Sequence, residues 1–160
     1  MAETVIRRAT SGDLPAIGKL GALLVRTHYE FDPQRFMRPM PRAEEGYGSF
    51  IGTQLAEPDV IVLVAERAGE VVGYAYAGVE GRDWMALRDR AGVLHDVVVD
   101  PAHRRGGVGQ MLLDAALTFF RERGVPRAVL QTAERNEEAQ RLFTKAGFRR
   151  TMVEMTRELT

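Results

Sequence analysis

The segment LHDVVVDPAHRRGGVGQMLLDAAL, from Leu94 to Leu117, limits the possible folds more than any other part of the chain. A β-branched run ends at Asp100-Pro101, two arginines and a cluster of glycines follow, and an apolar-periodic segment then begins. The pattern predicts a strand, a glycine-rich turn and a helix. A second apolar run, RAVLQT, follows that helix. A strand–helix–strand unit closes as a right-handed crossover, so the two strands are expected to be parallel neighbours.

The remaining patterns predict a mixed α/β sheet that is mostly antiparallel, with helices on its faces. The runs DVIVLVAE and VVGYAYAGVE, joined by a short turn, predict a hairpin, and TVIRRAT predicts a first strand. Helices are expected over SGDLPAIGKLGALLVRTHYE, with Ser11 or Asp13 as N-cap, and from about Arg42 to Leu55. Two more are expected from Gly107 to Arg123 and from Asn136 to Ala146. FRRTMVEMTREL alternates and predicts a closing strand.

The helix after the glycine cluster is expected to bury one apolar face against the sheet. The predicted members of that face are Met111, Leu112, Ala115, Ala116 and Phe119. The length of 160 residues and a hydrophobic content of 45% predict a single domain over residues 1–160.

Composition excludes several classes of function. A formal net charge of zero argues against a general binder of nucleic acid or membrane surfaces. The chain has no cysteine, which excludes a disulfide scaffold, a cysteine-ligated metal and a thiol nucleophile. Three scattered histidines do not suggest a metal site. The first ten residues lack the apolar core of a signal peptide, and no long apolar run occurs, so a cytoplasmic location is expected.

The glycine cluster has the features of a phosphate-binding loop. Unpaired amides at a helix start and the helix dipole favour anions, and glycines let phosphate oxygens approach the backbone. Arg104 and Arg105 add positive charge there, although an ordinary solvated turn is an equally good interpretation of the loop by itself. A dinucleotide fingerprint fails because Leu112 stands at the third glycine position. A P-loop fails because Gln110 follows Gly109.

A third pattern fits. Arg104-Arg105-Gly106-Gly107-Val108-Gly109, preceded by VVVDPAH, resembles motif A of the GCN5-related N-acetyltransferases. ERNEEAQRLFTKAGF resembles the later motif of that family, in which an asparagine precedes a short helix ending in aromatic-x-x-x-Gly-Phe. The predicted element order also matches over nearly the whole chain. The resemblance implies the acyl-CoA N-acyltransferase fold, in which the parallel fourth and fifth strands splay apart.

The resemblance also implies an activity and a co-substrate. Such an enzyme transfers the acetyl group of acetyl-CoA, by direct attack and without a metal, to a primary amine of a small molecule or peptide. The residues it implies for binding acetyl-CoA are Val97, Val98, Val99, Arg104, Arg105, Gly106, Gly107, Val108, Gly109, Gln110, Asn136 and Phe143. The loop would hold the pyrophosphate, and the valine run would pair with the pantetheine arm. Asn136 can equally be the N-cap of the last helix.

The candidate catalytic residues are His95 and Asp96. His95 stands where some relatives have a glutamate, and imidazole titrates near neutral pH, so it is a candidate base. A packed strand histidine is the alternative for His95, and a structural partner of an arginine is the alternative for Asp96. Strand alternation predicts that the two side chains lie on opposite faces. The amide of Val97 or Val98 is the candidate oxyanion donor. Phe143 stands where many relatives have a tyrosine acid.

The acceptor is not identified by the sequence. The family builds its acceptor cleft from the first two helices, their connection and the middle strands. Aromatic candidates for lining it are Tyr29, Phe31, Phe36, Tyr47, Tyr74 and Tyr76, and acidic ones are Glu30, Asp32, Glu44 and Glu45. Two other hypotheses stay open, a non-catalytic acetyl-CoA-binding module and a phosphate- or nucleotide-binding regulator. A homodimer is compatible with the resemblance.

Overall fold

Residues 2–160, which the computed structural model describes, form five strands and four α-helices. The strands are β1 (Thr4–Arg8), β2 (Val60–Arg67), β3 (Glu70–Glu80), β4 (Ala91–Val99) and β5 (Ala128–Leu130). The helices are α1 (Leu14–Phe31), α2 (Ala43–Gln54), α3 (Val108–Glu122) and α4 (Glu137–Lys145). Short 3-10 turns at Ser11–Asp13 and Pro101–His103 precede α1 and the glycine loop.

The sheet has the predicted mixed topology. Its order is β1-β2-β3-β4-β5, with antiparallel pairs from β1 to β4 and a parallel β4/β5 pair. β5 pairs with β4 only from Gly92 to Leu94, whereas β4 continues to Val99. The two parallel strands therefore separate beyond Leu94, which confirms the predicted splay.

Two apolar cores lie on the two faces of the sheet. α3 covers one face, where Leu112, Leu113 and Phe120 pack against inward-facing residues of β2, β3 and β4. α1 and α2 cover the other, around Ile17 and Ile51. The predicted apolar face of α3 is wrong in one respect: Met111 is 37% exposed, whereas Leu113 and Phe120 are buried. The helix is rotated so that its broad apolar stripe centres on Leu112 and Ala116.

A β-bulge in β4 sets which side chains share a face. Tyr76 pairs with Asp96 and Ala77 with Leu94, so His95 is an additional residue in β4. Leu94 and Val97 consequently both pack on the α3 face, whereas Asp96 and Val98 turn to the α1/α2 face. His95 stacks on Tyr76, which belongs to the α1/α2 face as well. The prediction that His95 and Asp96 lie on opposite faces is therefore wrong, because an extra residue breaks the two-residue alternation.

The C-terminal segment differs from the prediction. Residues 149–160 form no strand, although their sequence alternates, because alternation does not supply a neighbouring strand to pair with. Two exposed ion pairs connect this segment to the rest of the chain, Glu154 with Arg35 and Arg150 with Glu134. β5 is also shorter than the predicted RAVLQT run. No helix within residues 2–160 combines the length and the apolar character needed to cross a membrane.

Candidate functional site

A cavity of about 270 Å³ opens where β4 and β5 separate. It lies between the sheet, α1, α2 and α4. Its lining residues are Leu24, Val25, His28, Phe36, Met37, Tyr47, Leu94, His95, Asp96, Val97, Leu130, Gln131, Thr132, Asn136, Ala139 and Phe143. The structure thus brings five of the predicted site residues to one place: His95, Asp96, Val97, Asn136 and Phe143.

The free edge of β4 offers backbone groups to this gap. Asp100 donates its N–H to the Val72 carbonyl over 2.8 Å, which fixes the alternation of the β3/β4 ladder. Asp96 and Val98 therefore direct their backbone groups to β3, and Val97 and Val99 direct theirs to the gap. Val98 is also buried in the α1/α2 core, so the structure does not bring this predicted binding residue into the gap.

The carbonyl of Val99 accepts a hydrogen bond from Arg104 Nε at 3.1 Å. No hydrogen bond within residues 2–160 occupies the outward amide of Val97, which β5 is too short to reach. An extended ligand can pair with β4 at this position as an added strand would.

The glycine loop presents its backbone and its charges to solvent. Arg105 and Gly107 adopt left-handed backbone conformations, with φ of 67° and 82°. Gly107 is the N-cap of α3 and supplies no side chain, so the first amides of the helix remain free for an anion. Arg104, Arg105 and Gly106 are exposed. These groups could bind a phosphate, and phosphate binding by the loop stays a prediction.

Two loop residues have structural contacts, and an unpredicted arginine joins the site. The Val108 side chain is buried in the α3 core, and the Gln110 amide donates to Asp114 at 2.8 Å, so their backbone amides are what they offer to a ligand. Arg67, at the end of β2, reaches the loop: a Cβ placed on Gly106 would lie 3.6 Å from its guanidinium. No sequence signal indicated Arg67, because strand pairing alone brings β2 beside the loop.

The opposite wall of the gap comes from α4. Asn136 is the N-cap of this helix, since its side chain accepts from the amide of Ala139 at 3.1 Å, and it also lines the cavity. The structural alternative for Asn136 is confirmed, and a ligand contact stays a prediction. Phe143 lines the cavity and meets Phe148 edge-on at 5.9 Å.

Asp96 is held by two tyrosines. Its Oδ2 accepts the hydroxyl hydrogens of Tyr47 from α2 and of Tyr74, the latter at 2.9 Å. Desolvation raises the pKa of Asp96 above its ordinary value, although the tyrosine hydrogen bonds and the nearby His95 act in the opposite direction. The expected arginine partner is wrong: tyrosine hydroxyls take that place.

His95 is fixed by two contacts. Its Nε2 lies 3.0 Å from Glu80 Oε1, and its ring stacks on Tyr76 with centroids 4.8 Å apart. Arg88 approaches the other oxygen of Glu80 at 3.5 Å. Because Nε2 faces a carboxylate, Nδ1 is the ring nitrogen left to accept a proton.

The remaining candidates separate into two groups. Phe36 and Tyr47 line the cavity, whereas Tyr29 and Phe31 do not. The acidic candidates Glu30, Asp32, Glu44 and Glu45 also lie outside its lining. Within residues 2–160, no cluster of three histidine or acidic side chains could hold a metal ion.

Comparison with known proteins gives one family match. The sequence model of the acetyltransferase (GNAT) family matches residues 22–148. A mycothiol acetyltransferase of Thermobispora bispora is 36% identical over 97 residues, which are 58% of this chain and 31% of that protein. The chain thus spans about a third of the length of such relatives. An uncharacterized N-acetyltransferase of Bacillus subtilis, YhfO, is 26% identical over 148 residues, which are 89% of this chain and 88% of that protein.

Solved structures share the fold. The structure of an aminoglycoside N-acetyltransferase, AAC(6')-Iy, in complex with CoA superposes with a TM-score of 0.75 at 18% identity. The superposition covers 100% of this chain and 97% of that chain. A GCN5-related N-acetyltransferase from Ralstonia eutropha gives a TM-score of 0.74 at 24% identity, covering 98% and 99%. At these identities the likeness shows a common architecture.

Proposed function

The chain belongs to the GNAT acetyltransferase family, and on that premise we propose that it transfers the acetyl group of acetyl-CoA to a primary amine. One observation carries the proposal: the free edge of β4 joins a basic glycine loop at one end and a cavity containing His95 and Asp96 at the other. A long ligand with a phosphate group at one end and a reactive group at the other fits that arrangement.

The pyrophosphate of acetyl-CoA is assigned to the glycine loop. The first amides of α3 have no side-chain cap and can donate to an anion there, and the helix dipole adds a partial positive charge. Arg104 and Arg105 are exposed beside these amides, and Arg67 approaches from β2. Three guanidinium groups can therefore neutralise the diphosphate from two sides.

The pantetheine arm is assigned to the gap between β4 and β5. The Val97 carbonyl and the Val99 amide offer the pairing groups on one side, and Asn136 and Phe143 form the other. Gly109 borders this region, since a Cβ placed there would lie 3.4 Å from Leu142 and 3.8 Å from Val99. The thioester would then lie at the end of the arm, beside the bulge.

His95 is assigned as the base. An ammonium has no lone pair, so Nδ1 of His95 takes one proton and the freed nitrogen attacks the thioester carbon. The amide of Val97 donates to the oxyanion that forms. The C–S bond then breaks and CoA leaves as a thiolate. The nitrogen loses its second proton to solvent water, and solvent in turn protonates the thiolate. Since a thiol has a pKa of about 8.5, the thiolate can leave without an acid at Phe143.

Calorimetric titration with acetyl-CoA tests the binding part of the proposal. Arg104→Ala combined with Arg105→Ala is expected to weaken acetyl-CoA binding roughly tenfold or more, because charge-assisted hydrogen bonds contribute about 1.5–3 kcal/mol each. Arg26→Ala, which removes an exposed arginine of α1, is the matched control. Acetylpantetheine lacks the pyrophosphate, so its binding should be the same in all three proteins. Unchanged acetyl-CoA affinity in the double variant would contradict the loop assignment.

Release of free thiol in the presence of an amine panel tests the catalytic part. The panel should contain alkylamines, amino acids, polyamines, aminoglycosides and lysine peptides, because the acetyltransferases that the chain resembles differ in their acceptors. Phe143, which has no hydroxyl to protonate the thiolate, favours a second candidate function, a non-catalytic acetyl-CoA-binding module. Binding of acetyl-CoA without thiol release on any amine would favour that module.

A further inference from the structure

We propose that the acceptor is a small apolar amine with one positive charge and no carboxylate, and that Asp96 binds its ammonium group. The inference rests on the proposed function, since it assigns the acceptor end of the same cavity. It follows from the hydrogen bonds of Asp96, the charges of the lining and the apolar walls.

The carboxylate of Asp96 has one oxygen to spare. Tyr47 and Tyr74 both donate to Oδ2, and no donor within residues 2–160 hydrogen-bonds Oδ1. The residue lines the cavity, so this oxygen is available to a ligand there. An ammonium group has three donors and a full positive charge, which makes it the natural partner for a carboxylate in a desolvated place.

Besides Asp96, the lining side chains that can carry a full charge are two histidines, His28, whose Nδ1 lies 2.8 Å from the Leu24 carbonyl, and His95, which contacts Glu80. Of the cavity residues in the described part of the chain, Asp96 is the only carboxylate, and none is lysine or arginine.

Four arginines adjoin lining residues in the sequence, Arg26, Arg35, Arg38 and Arg135, but none of them lines the cavity. Arg35 is paired with Glu154, and Arg135 donates to the Phe31 carbonyl. A carboxylate on the acceptor would therefore be desolvated beside the Asp96 carboxylate and without a lysine or arginine partner, which is costly.

The walls of the cavity favour an acceptor that is apolar apart from its amine. Leu24 and Val25 of α1, together with Phe36 and Met37 from the loop after it, form an apolar wall of the cavity around the ring of His28. A second ammonium group on the acceptor would lie against this surface with no counter-charge. The cavity volume of about 270 Å³ must also receive the end of the pantetheine arm, so the part of the acceptor that enters the cavity must be small.

The bulge places the base beside the anchor. His95 and Asp96 both face the α1/α2 side, and His95 is close enough to lower the pKa of Asp96. An ammonium group held at Oδ1 can pass one proton to Nδ1 of His95 and keep its position while the lone pair attacks. The carboxylate binds the form of the amine that dominates at neutral pH, and the histidine makes it reactive.

A set of matched amines tests the inference on the unaltered protein. 2-Phenylethylamine, phenylalanine and phenylalanine amide share one body and differ in the substituent beside the amine. We expect kcat/KM for 2-phenylethylamine to exceed that for phenylalanine at least tenfold, with phenylalanine amide between them. Spermidine should also be at least tenfold poorer than 2-phenylethylamine. Equal or better use of phenylalanine or spermidine would overturn the inference, as would failure of 2-phenylethylamine to bind the CoA complex in calorimetry.

Asp96→Asn tests the anchor. Asparagine keeps an oxygen for the two tyrosine hydroxyls but loses the charge, so KM for 2-phenylethylamine should rise at least tenfold while acetyl-CoA affinity is unchanged. Asp114→Asn, on the exposed side of α3, is the matched control. An unchanged KM would overturn the role of Asp96. If the unaltered protein does not bind acetyl-CoA, the proposed function itself is rejected, which distinguishes that failure from a failure of the acceptor inference. If the Asp96 variant does not fold, the amine series on the unaltered protein still tests the inference.

Discussion

At the scale of residues, the site depends on side chains whose partners are distant in the sequence. Asp96 takes two tyrosine hydroxyls, one from α2 and one from β3, and His95 takes a carboxylate from the end of β3. Adjacent strand residues normally point apart, and these two share a face only because His95 is the additional residue of a bulge. The Glu80 contact occupies Nε2, so in the proposed mechanism Nδ1 is the nitrogen of His95 that accepts the proton.

In Glu80→Ala, the imidazole of His95 is expected to lose its preference for a single tautomer. With the carboxylate present, Nε2 carries the hydrogen, and without it the neutral ring should populate both tautomers. The ¹⁵N shifts of the imidazole, measured by NMR at a pH where the ring is neutral, report this directly. kcat should fall roughly tenfold or more with little change in KM for the amine.

Glu80→Gln retains an oxygen that accepts from Nε2–H, so it should restore the single tautomer and part of kcat. Asp89→Ala, which removes an exposed partner of Arg82, is the matched control. Unaltered imidazole shifts in Glu80→Ala would show that Glu80 does not orient His95.

At the scale of elements, close packing of α1 on α2 positions Tyr47. A Cβ on Gly18 would lie 2.3 Å from the carbonyl oxygen of Glu44, and one on Gly21 would lie 2.2 Å from the ring of Tyr47. Glycine is therefore required at both positions by the approach of α2. The Tyr47 ring that packs on Gly21 carries the hydroxyl that donates to Asp96, so the packing of the two helices positions a hydrogen bond of the site.

Gly21→Ala is expected to destabilise the protein by roughly 1–3 kcal/mol, because the added methyl group overlaps the Tyr47 ring and the helices must move apart. KM for an amine substrate should also rise, since the displaced tyrosine no longer holds Asp96. Gly46→Ala is the matched control, because a Cβ there has no neighbour within 4 Å and alanine favours a helix.

Urea unfolding and amine kinetics on both variants measure these effects. An equal stability of Gly21→Ala and the unaltered protein would contradict the described helix contact.

At the scale of the whole molecule, an ion-pair network joins the first strand to the first helix. Arg7 of β1 donates to both oxygens of Asp13, at 2.8 and 2.9 Å, and to Glu66 of β2 at 2.7 Å. The hydrogen bond from Arg7 has the largest effect on the pKa of the buried Asp13 and lowers it below the ordinary value of 3.8. The network ties the start of α1, and with it the α1/α2 layer above the site, to the edge of the sheet.

Asp13→Asn is expected to lose roughly 1–3 kcal/mol of stability at neutral pH, as a charge-assisted hydrogen bond is lost. A carboxyl group whose folded pKa is depressed contributes fully above its unfolded pKa, and this contribution disappears as pH falls through the folded value. The difference between the two proteins should therefore shrink below about pH 4. Chemical denaturation from pH 7 to pH 3 measures it.

A difference that stays constant with pH would show that Asp13 acts by packing and not by charge. The exposed Asp114→Asn should change stability by less than about 0.5 kcal/mol across that range.

Local patterns in the sequence determined the order of the elements, the parallel β4/β5 pair, the glycine loop and the N-cap at Asn136. Each of these features depends on residues that are close together in the sequence. The spacing of apolar residues predicts the elements, the glycines precede a helix start, and the Asn136 side chain lies three residues before the amide that it accepts from. Tertiary structure alone decided the bulge at His95, the tyrosines on Asp96, the approach of Arg67 to the loop and the fate of the last segment. These features arise from pairing and packing between residues that are far apart in the sequence. Neither the hydrophobic period nor the composition shows which distant residues will be in contact.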